Sequence, residues 1–142
     1  MNVGLVTLRR LAVLVVILHA IVTVPHSIAH TNLHIAMDTW QNIYIFVVIL
    51  ILPIVAAVFI WIRRRSGFGL LTISMIGSFA FGVYYHFIAT GSDNAFTLPA
   101  SSWTLTFQLS AWLLAITELG GAIIGFLGLA NRLVQTHKAE VR

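Results

Sequence analysis

Cysteine is absent from the chain, which removes disulfides, thiolate metal ligands and iron–sulfur ligation at once. With no Cys-x-x-Cys-His stretch either, any haem would have to be held non-covalently. Charge is scarce too. Asp, Glu, Lys and Arg make up 8% of the 142 residues, against roughly 25% in soluble domains. So little charge cannot cover the surface of a soluble domain, and no soluble class fits. His-x-x-His and Glu-x-x-His pairs, the usual ligands of a carboxylate-bridged diiron bundle, are missing as well. The chain also shows no internal repeat, low-complexity tract or linker.

What remains is apolar: 59% of the residues are hydrophobic and the mean hydropathy is +0.97. Four apolar stretches, at about 11–30, 43–62, 68–89 and 105–130, each approach the ~20 residues that a spanning helix needs. The fold expected is an all-α integral membrane protein, a single four-helix transmembrane bundle with short connections, the longest at about 90–104. A competing reading of the first stretch is a secretory signal. Arg9 and Arg10 precede an apolar run that ends at Pro25, with small residues following at Ser27 and Ala29. We read it as a true span.

The basic residues sort to one side. Arg9 and Arg10 precede the first stretch, Arg63, Arg64 and Arg65 join the second to the third, and Arg132, Lys138 and Arg142 follow the fourth. By the positive-inside rule both termini are expected in the cytoplasm. The two opposite connections carry no Lys or Arg, only Asp38 and Asp93. The net charge of +4 is thus a topology signal, and no nucleic-acid partner is expected. The compact loops and arginine flanks suggest a prokaryotic cytoplasmic membrane. The expected partners are the bilayer and, beyond it, other membrane subunits or further copies of the chain.

Several residues have ordinary structural readings. Asp38, three residues before Gln41, suits a helix N-cap. Pro25 and Pro53 lie inside spans, where a missing N–H bends the helix and frees a carbonyl. Ser74, Ser78, Gly82 and His86 form one stripe, and Gly121 and Gly125 a small-xxx-small pair, both ordinary helix-packing devices. Trp40, Trp61, Trp103, Tyr84 and Tyr85 fall near span ends, as interfacial aromatics do.

The chemistry rests on histidine. His19, His26, His30 and His34 recur at spacings of seven, four and four, and Asp38 follows after four more, so all fall on one helical stripe. A single intramembrane histidine is often a packing donor worth about 0.6 kcal/mol. Four on one stripe, with His86 and Glu118 on other spans, point to a functional polar site, because such groups are costly in lipid. Counting 1.5 Å per residue from the cytoplasmic ends puts His19 about 12 Å up, Glu118 about 18 Å, His26 about 22 Å, and His30 and His86 about 28 Å. Glu118 is therefore expected near His26, and His30 level with His86. Asp93 and His34 are expected at the surface, and His137 in the solvated tail.

Three uses suit such a track. His26, His30, His86 and Glu118 could ligate copper, iron or zinc. His30 and His86 could be axial ligands of a b-type haem. Glu118 and His19 could relay protons beside a bound lipid or quinone. The leading expectation is a transition metal or haem in a redox or metal-handling role, at a site open to the non-cytoplasmic face. The alternatives are an accessory subunit of a larger membrane complex and a lipid- or quinone-binding enzyme.

Overall fold

The computed structural model describes residues 4–64 and 66–140, with side chains through Asn131. The side chains of Arg65, Arg132, His137, Lys138 and Arg142 lie outside the described residues. Four helices are long and apolar enough to cross a membrane: α1 (Leu5–Asn32), α2 (Thr39–Trp61), α3 (Gly67–Ile88) and α4 (Thr104–Glu140), the last spanning as far as Asn131. The first begins six residues earlier than its apolar run implies, and the fourth continues ten residues past it. Helical hydrogen bonding does not stop where hydropathy does.

Each helix end near the two long-chain connections has a local cause. Past Asn32 the backbone turns left-handed at His34, with φ 54°, and the Ile35 N–H donates to the His30 carbonyl at 3.2 Å. That six-to-one bond is the Schellman closure of a helix. His34 is consequently exposed, at the surface as the depth count implies. Helix α2 then starts as expected: the Asp38 N–H donates to Gln41 Oε1 at 2.7 Å within a capping box.

The bundle closes as a ring. α4 packs against both α1 and α3, α2 packs on α3, and α1 meets α2 through its Leu52–Trp61 part. Close approach of α3 and α4 depends on glycine. A Cβ at Gly121 would lie 2.9 Å from the Met75 side chain, and one at Gly125 would lie 2.6 Å from Thr72 Oγ1 and 2.9 Å from the Thr72 backbone nitrogen. Leu8, Ala12, Ile60, Phe68, Leu71 and Met75 form the apolar core at the end carrying the termini. A smaller cluster of Ala29, Ile35, Ala95, Phe107 and Ala111 closes the end carrying the two loops. The outward faces keep large apolar side chains exposed, Ile73 and Ile116 among them, as lipid contact requires.

Two departures from α-helical pairing among the described residues fall at the polar layer. Residues Ile45–Ile51 of α2 and Tyr84–Ile88 of α3 form π-helical turns, which are frequent where a helix carries function. Pro53 has no N–H to offer Ile49, four residues earlier. The Ile49 carbonyl instead accepts a hydrogen bond from His19 Nε2 at 3.1 Å. This is the freed carbonyl that a proline inside a span implies.

Candidate metal centre

His26 and His30 are one turn apart on α1, and the π-helical turn of α3 presents His86 to them. All three are buried, and one potential ligand nitrogen from each lies within 4.8 Å of the others. Ring centroids are 4.8 Å apart for His26 and His30, 4.9 Å for His26 and His86, and 5.7 Å for His30 and His86. Phe107, fully buried on α4, touches every one of these rings at centroid distances of 4.9 to 5.2 Å. It is a rigid apolar backing that leaves the imidazoles little room to rotate away.

The oxygen partners decide which nitrogens are available. Ser110 Oγ gives its only proton to the carbonyls of Thr106 and Phe107, at 2.7 and 3.0 Å. It must therefore accept from His26 Nδ1, 2.9 Å away, which leaves the lone pair of a neutral His26 on Nε2. His86 Nδ1 donates to the Asp93 carbonyl at 3.3 Å, so its lone pair also sits on Nε2. Asp93 Oδ1 stands 3.1 Å from His86 Nδ1 and 3.2 Å from His30 Nε2, within range of both N–H groups though outside the directional range of either. The carboxylate oxygen 3.2 Å from His30 Nε2 favours the proton on that nitrogen, and His30 Nδ1 is buried without a partner.

His26 and His86 thus each have one nitrogen held by oxygen and one left with a lone pair, and His30 has a carboxylate oxygen 3.2 Å from one nitrogen and its other nitrogen unpartnered. That is the arrangement metal-ligating histidines adopt, with a carboxylate or carbonyl behind the ligand setting tautomer and orientation. Zinc–nitrogen bonds of 2.0–2.1 Å in a tetrahedron put ligand nitrogens about 3.3 Å apart. Here the three nitrogens lie within 4.8 Å of one another, so holding a single ion requires the rings to turn inward.

Asp93 corrects the reading from helix counting, which placed it at the surface. The 89–103 connection does not project outward. Ala95 N–H donates to the His86 carbonyl at 2.9 Å, Asn94 Nδ2 to the Ala89 carbonyl at 2.8 Å, and Gln108 Nε2 to the Ala95 carbonyl at 2.7 Å. These bonds fold the loop back into the bundle mouth and press Asp93 against two histidines. Helical spacing carries no signal for this, because Asp93 lies beyond the end of its helix. Ser110 was also missed, since one serine in an apolar span ordinarily bonds back to its own helix.

Glu118 departs from its expected partner as well. Its Oε1 lies 3.9 Å from His19 Nδ1, and both residues are buried. The register follows from the loop ends: His19 is thirteen residues before Asn32 and Glu118 fourteen after Thr104, while His26 and Ser110 each lie six residues in. Counting from the opposite ends fails because those ends are not level: His19 lies fourteen residues after Leu5, whereas Glu118 lies twenty-two before Glu140. His19 donates through Nε2 to Ile49, so its Nδ1, otherwise without a partner, faces the acid.

The two groups meet in one cavity of about 300 Å³, whose lining includes His26, His30, His86, Asp93 and Glu118. Gly82 lies between the last histidine and the acid: a Cβ there would be 3.6 Å from Glu118 Oε2 and 3.9 Å from His86 Cδ2. Glu118 thus shares the space beside the triad without belonging to it. No protein family, curated protein or solved structure matches this chain.

Proposed function

We propose that this chain holds one transition-metal ion through His26, His30 and His86, in a redox or metal-handling role. The observation that carries the reading is the convergence of three buried imidazoles, two of which have one nitrogen hydrogen-bonded to oxygen and the third a carboxylate oxygen 3.2 Å from its Nε2. Three neutral imidazoles suit zinc, copper or iron. Three protein ligands beside a cavity leave a coordination position open, as in reactive rather than structural zinc sites. A single ion fits better than haem, because His26 and Phe107 both pack against the His30 and His86 rings, between which a macrocycle would have to pass.

Purified in mild detergent and supplemented with zinc, copper or ferrous iron, the protein is expected to retain close to one ion per chain by elemental analysis. Asp93→Asn is expected to weaken retention about 10–100-fold, the usual effect of losing the carboxylate behind a ligand. No retention of any of the three metals by the unmodified protein would end the reading.

The orientation belongs to the same proposal. The loop end, where Asp93 sits, faces away from the cytoplasm, because Arg9, Arg10, Arg63 and Arg64 all lie at the other end. The natural lack of cysteine makes this simple to check. In intact cells a membrane-impermeant maleimide is expected to label Ser101→Cys and spare Ser66→Cys, both exposed positions. The reverse pattern would invert the topology.

A further inference from the structure

The metal cavity is open on one side. α1 packs against α2 through Leu52–Trp61, and the hydrogen bond from His19 to Ile49 lies near the end of that contact. Toward the loop end, the cavity wall is made by Thr23, Ser27 and Thr31 from α1 and by Asn42 and Ile45 from α2. Ser27, Thr31 and Asn42 are exposed on spans whose outer faces meet lipid. The histidines and these exposed residues line one continuous space, which therefore reaches from the metal centre to the molecular surface between α1 and α2.

We propose that this cavity admits, from the side and between α1 and α2, a lipid with a neutral hydroxyl head, whose oxygen reaches the metal centre while its tail stays in the apolar slot. The inference rests on the metal reading above. Charge selects a neutral head. The +2 charge of a bound divalent ion is matched by the two carboxylates that line the cavity, Asp93 and Glu118, and no Lys or Arg lines it among the described residues, so an anionic head would meet no net positive charge.

Hydrogen-bond bookkeeping selects a donor. The Thr23 hydroxyl donates to the His19 carbonyl at 2.8 Å, the Thr31 hydroxyl to the Ser27 carbonyl at 3.1 Å, and Asn42 Nδ2 to the Met37 and Asp38 carbonyls at 3.3 and 3.2 Å. With those protons committed, three of the four polar side chains on this wall have only oxygen acceptors left for a guest, and Ser27 alone keeps a free hydroxyl proton. The apolar part of the lining, with Ile45, Ile49, Phe81 and Leu114, suits a hydrocarbon tail.

The test uses the full chain in detergent, loaded with cobalt(II) as a coloured substitute for the native ion, and titrated with farnesol, a short-tailed benzoquinone or palmitate. Cobalt uptake is measured first. Farnesol is expected to shift the visible cobalt bands saturably, with the quinone and palmitate at least tenfold weaker. Ile45→Trp, which narrows the slot and replaces no ligand residue, is expected to keep the cobalt and weaken the farnesol response at least tenfold. Asn42→Trp, at an exposed position, serves as a second block if Ile45→Trp does not fold. A cobalt-loaded protein blind to farnesol, an undiminished response in the folded blocking variants, or palmitate or quinone responding as well as farnesol would overturn the proposal while leaving the metal reading intact. Failure to take up cobalt would remove both.

Discussion

Replacing His30 with alanine is expected to lower metal affinity by about 100-fold or more, beyond the 10–100-fold that loss of an outer partner costs. The same is expected of His26→Ala and His86→Ala, because three ligands leave none to spare. The reason is geometric. His26 and His30 come from successive turns of α1, and His86 enters from α3, so removing any one leaves at most two ligands for the ion. The control is His34→Asn. His34 is exposed and its φ of 54° is a conformation asparagine accepts, so this variant is expected to keep its metal and its thermal stability. Elemental analysis of the four proteins, purified identically, checks the prediction. Equal occupancy across all four would place the metal elsewhere, or nowhere.

The second large effect concerns the frame that holds the site. Gly125→Ala is expected to destabilise the bundle by about 1–3 kcal/mol, the usual cost of overpacking. Its new methyl group would meet the Thr72 backbone nitrogen at 2.9 Å and the Phe68 carbonyl oxygen at 3.2 Å. Neither is a side chain that can swing aside, so α3 and α4 must separate. α3 carries His86, while α4 carries Phe107 and Ser110, so metal affinity should fall along with stability. Gly120→Ala is the matched control: nothing lies within 4 Å of its added Cβ, and better helix propensity makes it neutral or slightly stabilising. Unfolding of the three proteins by SDS titration in mixed micelles distinguishes them. A Gly125→Ala protein as stable as the parent would show that close approach of the two helices there is not needed.

Much of this architecture is legible in one dimension. Bilayer thickness sets a length that apolar runs either reach or do not, and four runs here correspond to four helices of sufficient length. The period of 3.6 residues puts His19, His26 and His30 on the inner face of α1, and Ser74, Ser78 and His86 on that of α3, all of them buried. Pro53 announces a free carbonyl from its chemistry alone. Asp38 and Gln41 announce a helix start by their spacing.

Which of those inward-facing groups touch was a different matter. Periodicity sets the angle of a residue around its helix axis and its rise along it, but not the axial offset of one helix from the next. That offset is decided at the loop ends, by the left-handed turn at His34 and the start of α4 at Thr104, and it pairs Glu118 with His19 and Ser110 with His26. The return of Asp93 onto His30 and His86 lies further still from sequence pattern, since a loop's path follows from bonds to distant residues such as Gln108. The sequence by itself determined the spans, their buried faces and the supply of imidazoles. Tertiary structure alone decided the partners of those imidazoles, because the oxygens that select their open nitrogens come from other helices and from a loop.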